Sequence, residues 1–249
     1  MDRHLLIAGQ GRSGSTLFYS MLQHALDGFA MPQVEMSATR VLPYAGNTCS
    51  KRPFDIFDMK AIVAAAEGRK KLDLIIMMRD PRDILTSVHS KVPDDYFCSA
   101  DHCYFIGGPG APTKTAPGFL MMHMATVEVL NSGLFPQGVF LLKYEHLIDD
   151  PARIQTMLAE ALDLPFKADF TDFHKGQIGA AHQSAMNGVR PVSADRVQKW
   201  RSPQHRDRII DQFTRFPVLH DILIDLGYEE STAWFDDYCA DDQQLKAKA

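Results

Sequence analysis

Short apolar runs and amphipathic stretches alternate along most of this chain. "HLLIAG" (residues 4–9) is an apolar run closing on glycine, the pattern of a buried strand. After a polar, glycine-rich gap, Leu17, Met21, Leu22, Ala25 and Leu26 recur at helical spacing, which predicts a helix starting near Gly14 or Ser15. "LDLIIMM" (72–78) predicts a second buried strand. "RDPRDILTSVHSK" follows it and predicts a helix, with Pro81 near its first turn and Asp80 as its cap. "GVFLLKY" (138–144) predicts a third strand and "DPARIQTMLAEAL" a helix after it. Strands separated by helices predict an α/β fold: a mainly parallel central sheet flanked by helices on both faces. No internal repeat is present.

Residues 92–118 break the alternation. Aromatics mix there with Gly and Pro and sustain no period. Loops of this length in compact domains are commonly functional, and the aromatics predict a lid over a substrate. The end of the chain, "DDQQLKAKA", predicts a solvated, frayed tail. The expected organisation is one domain over 1–239 with a flexible tail over 240–249.

Composition narrows the function classes. A net charge of −5 over 249 residues lacks the basic footprint of a nucleic-acid binder, though it leaves room for a local cationic pocket. No stretch reaches the ~20 apolar residues of a membrane helix, and the apolar run near the amino terminus is too short for a signal-peptide core. Cys49, Cys98, Cys103 and Cys239 form no disulfide framework, so a reduced, cytoplasmic setting is the expectation. Cys98, His102 and Cys103 crowd one loop. Zinc-site spacing is missing there and no second ligand pair follows, so no metal is expected.

The chemistry concentrates in "GQGRSGST" (9–16), between the first strand and the first helix. Gly9, Gly14 and Thr16 fit G-x-x-x-x-G-K-[ST], the phosphate-binding loop, yet Ser15 stands where that motif has lysine and the nearest cation is Arg12. Backbone amides at such a helix start point at an anion, helped by the helix dipole. Arg79 stands at the carboxyl end of the second strand, where doubly wound sheets place ligands, and Ser87 follows eight positions on.

"RSGST" (12–16) and "RDPRDILTS" (79–87) together resemble the two donor-binding motifs of sulfotransferases that use 3′-phosphoadenosine 5′-phosphosulfate (PAPS), in the arginine form of bacterial and carbohydrate-type members. "LLKYEHLIDDP" (141–151) and "RVQKWRSP" (196–203) are similar to further family segments, and the resemblance runs over about 5–228. It implies a P-loop-like sulfotransferase fold and transfer of a sulfuryl group from PAPS to a hydroxyl or amine, leaving adenosine 3′,5′-bisphosphate, without a metal. Gly11, Arg12, Ser13, Gly14, Ser15 and Thr16 would hold the 5′-phosphosulfate, with Arg12 also stabilising charge as the bond breaks. Arg79 and Ser87 would grip the 3′-phosphate, joined by Arg196 and Lys199.

For the base, no histidine lies between His24 and His89, where steroid- and phenol-type relatives carry one. Glu35 fits the glutamate position of carbohydrate-type members and, if shielded by apolar neighbours, would suit general-base work. Its alternative is an ordinary surface carboxylate, with Asp55, Asp58 and His102 in reserve. Arg40, His102, Tyr104 and Phe105 are candidate acceptor contacts, and Trp200 reads as core. The acceptor is a small molecule, a carbohydrate or a lipid; the sequence does not choose. Two other readings stay open: a P-loop kinase or nucleotide hydrolase, with "LDLIIMMRD" imitating a metal-binding strand, and a non-catalytic nucleotide-binding protein on the same scaffold.

Overall fold

The structure is a computed structural model that describes residues 1–88, 92, 97–106 and 112–248. In chain order its first elements are β1 (Asp2–Gly9), α1 (Ser15–Ala25), β2 (Phe29–Ala30), α2 (Ala38–Val41), β3 (Asn47–Lys51), α3 (Met59–Ala66), β4 (Lys70–Met78) and α4 (Pro81–Leu85). There follow β5 (His102–Ile106), β6 (Pro112–Pro117), α5 (Phe119–Asn131), β7 (Phe140–Lys143), α6 (Tyr144–Asp149) and α7 (Pro151–Leu162). The remaining helices are α8 (Ala180–Ala185), α9 (Arg206–Arg215), α10 (Val218–Asp225) and α11 (Ala233–Lys248). Two compact units result: Met1–Arg79 with Met122–Ala194, and Asp80–Met121 with Asp195–Ala249.

The first unit holds a five-stranded sheet in the order β2-β3-β1-β4-β7, every neighbouring pair parallel. Successive strand residues point to opposite faces, and the core divides accordingly. Leu5, Ile7, Ile75 and Met77 pack with Phe18, Met21 and Leu22 of α1 and with Ile154 and Leu158 of α7. Leu6, Ala8, Leu74 and Ile76 pack on the other face with Ile62 of α3 and Met122 and Val129 of α5. Helices therefore cover both faces, as the apolar runs predict.

β2 and β3 are absent from the sequence reading. "NTCSK" looks polar, but Thr48 and Ser50 are buried because both hydroxyls bond one ring, that of His4, at 2.8 and 3.0 Å. An internal polar ladder replaces the apolar signature of a buried strand.

In the second unit, Asp80 caps α4 by accepting from the Arg82 amide at 2.9 Å, with Pro81 in the first turn. The helix stops at Leu85, short of the expected length, as the Thr86 hydroxyl turns back to the Arg82 carbonyl at 2.8 Å. Within the stretch read as a lid loop, β5 and β6 pair as an antiparallel hairpin from His102↔Pro117 to Ile106↔Pro112. Residues 93–96 and 107–111 of that stretch lie outside the described residues. The terminal segment expected to fray is helical through Lys248. Among the described residues no helix is long and apolar enough to cross a membrane.

Candidate functional site

Parallel strands present all their carboxyl ends on one edge, and four neighbouring ends supply the candidate residues of the first unit. β1 leads into loop 9–16, β3 ends at Lys51, β4 leads to Arg79, and β7 passes directly into Tyr144. This edge is where open α/β sheets bind ligands.

Three residues of the loop have positive φ: Gly9 at 113°, Arg12 at 64° and Gly14 at 85°. For glycine this is free; for arginine it costs of order 1–3 kcal/mol and persists only where surroundings enforce it. Part of that enforcement is Arg79, whose Nη1 donates to the Arg12 carbonyl at 3.2 Å. Ser13 is fully buried, and its hydroxyl donates to the Gln10 carbonyl at 2.6 Å. It closes the loop from inside, with its hydroxyl bonded to the backbone. Gly14 is required for a second reason. A Cβ there would lie 2.3 Å from Cδ2 of Tyr144. Gly11, by contrast, has nothing within 4 Å of where its Cβ would stand and opens on free space.

Tyr144 thus buttresses the loop, and the Arg79 guanidinium lies over its ring, 4.4 Å from the centroid. Such a cation–ring contact fixes Arg79, itself 8% exposed, without consuming its hydrogen-bonding edges.

Lys51 is a candidate site residue that sequence reasoning misses. Its side chain is 5% exposed, and Nζ donates both to Thr16 Oγ1 at 3.2 Å and to the Glu35 carboxylate at 2.5 Å. The chain lacks the lysine at the phosphate-loop position, yet β3 brings an ammonium to the same helix start. Recognising "NTCSK" as a strand would have exposed it, since Lys51 is then a cation at a carboxyl strand end.

Glu35 is brought to the loop through Lys51, and its side chain is 46% exposed and ion-paired rather than shielded by apolar neighbours. Ser15 is buried at the start of α1. Of the reserve carboxylates, Asp55 is fully buried and accepts from the Ala38 amide at 2.8 Å and from Arg52 at 3.2 Å. Burial raises its pKa against those bonds, and its role is to fasten α2. Asp58 pairs with Arg52 at 3.8 Å. Arg40 is exposed on α2.

The remaining candidates belong to the second unit. Ser87 is half-buried just past α4. Asp83 accepts from the backbone amides of Gln198 at 2.9 Å and Trp200 at 3.1 Å, so it anchors the "RVQKW" segment. There Arg196 is half-buried and Lys199 exposed. Trp200 is core, 1% exposed, with the Arg82 guanidinium 3.9 Å from its ring centroid. His102 Nδ1 meets Asp101 at 2.7 Å and its ring stands edge-on to Tyr104 at 5.8 Å. Phe105 pairs with Lys114 across the hairpin. The Cys103 thiol is pushed up to about 11 by burial and donates to the Pro117 carbonyl at 3.3 Å. Among the described residues no group of three or more metal-ligating side chains converges.

The sequence matches no protein-family model and no curated protein. Among solved structures the fold is similar to the sulfotransferase domain from the curacin biosynthetic pathway, at 14% identity over 81% of this chain and 90% of that one, with a TM-score of 0.53. It is similar also to the sulfotransferase domain from the Synechococcus PCC 7002 olefin synthase, at 13% identity over 81% and 88% of the two chains, TM-score 0.51. The chain therefore has an α/β fold like that of sulfotransferase domains.

Proposed function

We propose that this protein is a PAPS-dependent sulfotransferase acting on a hydroxyl or amine of a small-molecule, carbohydrate or lipid acceptor. The observation that carries the reading is the gathering of loop 9–16, Lys51 and Arg79 at adjacent carboxyl strand ends. The donor set fits a polyanion: three cationic side chains, a helix start, and a glycine loop in which Gly11 leaves open space. When bound, the donor supplies a sulfuryl group already activated for transfer.

In this reading Gly11 to Thr16 hold the 5′-phosphosulfate by backbone amides and the Thr16 side chain. Arg12 and Lys51 stabilise the charge that develops as the group leaves, a contribution that typically costs ~100- to 1,000-fold in rate when removed. Arg79, held flat by Tyr144, binds the 3′-phosphate. Glu35 takes the proton of the acceptor group, and Lys51 aims its carboxylate. Against the kinase reading stands the engagement of the Asp80 carboxylate, which caps α4 and pairs with the Arg82 guanidinium at 2.8 Å.

Thermal unfolding with adenosine 3′,5′-bisphosphate tests the proposal, since a ligand bound only by the folded state stabilises it by mass action. The bisphosphate should raise the midpoint and ATP at equal concentration should not. A larger ATP shift, or none with either, refutes the reading. Sulfated product from PAPS and acceptor pools then separates an enzyme from a binding protein.

A further inference from the structure

Glu35 sits on segment 31–37, which has no regular structure before α2, so something else must hold it. Two side chains of α1 reach it. Tyr19 donates its hydroxyl to the Pro32 carbonyl at 2.9 Å, and Gln23 Nε2 donates to the same oxygen at 3.1 Å. That second bond orients the Gln23 carboxamide, leaving Oε1 facing His182 Nδ1 at 3.2 Å. An amide oxygen can only accept, so the proton of the imidazole is on Nδ1 and its lone pair on Nε2.

His182, on α8, is 3% exposed. Its ring meets Tyr19 edge-on at 5.2 Å, and Nε2 is buried with no hydrogen-bond partner among the described residues. A buried nitrogen left so costs stability that an apolar residue of similar size would not lose. What an apolar residue could not supply is the Nδ1–H that locks Gln23. Gly179, at the start of α8, closes on the same segment: a Cβ there would stand 2.8 Å from Gln33 Oε1 and 2.9 Å from the Gln33 carbonyl. The segment is thus clamped at Gln33 and Pro32, immediately before Val34 and Glu35.

We propose that His182 is a positioning residue for Glu35, acting through Gln23 and the Pro32 carbonyl. Burial first, then the positive charge of Lys51, keeps the ring neutral against the opposing pull of Glu35, and these two are the charged groups that bear on it. A proton on Nε2 would be buried with no acceptor, so the site favours the neutral ring with its proton on Nδ1. The catalytic consequence rests on the sulfotransferase reading; the clamp itself does not.

Amide hydrogen exchange of the full chain tests it. His182→Leu should speed exchange across 31–37 by about 10-fold or more, because one bond of the chain is gone and Gln23 is left unsatisfied. Gln23→Leu should do the same, and the double variant should add little. His182→Asn should restore protection, since its carboxamide can place an N–H where Nδ1 stands, whereas His182→Gln, which mimics Nε2, should not. Unchanged exchange in His182→Leu, or failure of Asn to restore it where Leu loosens the segment, overturns the proposal. In turnover, His182→Leu should lower kcat while bisphosphate affinity holds. A wild-type protein that binds no bisphosphate would refute the sulfotransferase reading, and the exchange result would still decide the clamp.

Discussion

Arg79 combines three roles in one side chain: it reaches the Arg12 carbonyl, lies over Tyr144, and stands at the strand end where an anion would dock. Arg79→Ala should weaken adenosine bisphosphate binding at least ~10-fold by calorimetry, since charge-assisted bonds contribute about 1.5–3 kcal/mol each; unchanged affinity would refute its assignment. Lys51→Met should act differently. If Lys51 stabilises charge only as the sulfuryl group leaves, kcat should fall ~100-fold or more while affinity changes little. The two loop glycines form a sharper pair. Gly14→Ala must accept a left-handed backbone and a methyl inside the Tyr144 ring, a loss of about 2–4 kcal/mol. Gly11→Ala meets nothing within 4 Å and should unfold like the parent in urea. Equal stabilities would show that Tyr144 does not buttress the loop.

Among the elements, α4 and the "RVQKW" segment form one construction. Asp83 takes two backbone amides, Asp80 and Glu229 pair with Arg82, and the Arg82 guanidinium lies over the rings of both Trp200 and Trp234, 3.9 and 4.6 Å from their centroids. Asp83→Ala should cost about 2–4 kcal/mol by stranding those amides. Both tryptophans of the chain lie in the second unit, so their fluorescence reports its unfolding directly. This construction explains what could be read beforehand. β1, β4 and β7 are legible because burial on both faces demands unbroken apolar runs, and the cap at Asp80 because its chemistry is local. β3 is illegible because its polar side chains satisfy one another inside the core, and Lys51 disappears from view with it. The hairpin is hidden for another reason. Part of its placement is backbone contact, as at Gly118, where a Cβ would stand 2.3 Å from the His102 nitrogen. Arg12, Gly14 and Arg79 are legible as a motif, whereas the clamp on Glu35 joins residues 32, 23 and 182 through space alone.

For the whole molecule, acid stability follows from histidines buried in neutral form. His4 is pushed down to about 3 by burial and by the neighbouring charge of Lys70. Its unfolded form titrates at 6.5, so below that pH the unfolded chain binds a proton that the folded chain refuses. The stabilisation is complete above about 6.5 and drains away as pH falls toward about 3. The thermal midpoint should drop over that window, and more shallowly in His4→Gln, whatever its starting stability; an identical acid slope would count against His4. Both compact units are also discontinuous in sequence, the second needing Asp80–Met121 and Asp195–Ala249 together. Synthesis runs from the amino end, so α4 emerges from the ribosome long before Gln198, Trp200 and Glu229 exist to receive Asp83 and Arg82. Until they do, those charged side chains have no buried home. The second unit can close only after Asp195–Ala249 has been synthesised, and any truncation before residue 195 removes every element of its later half.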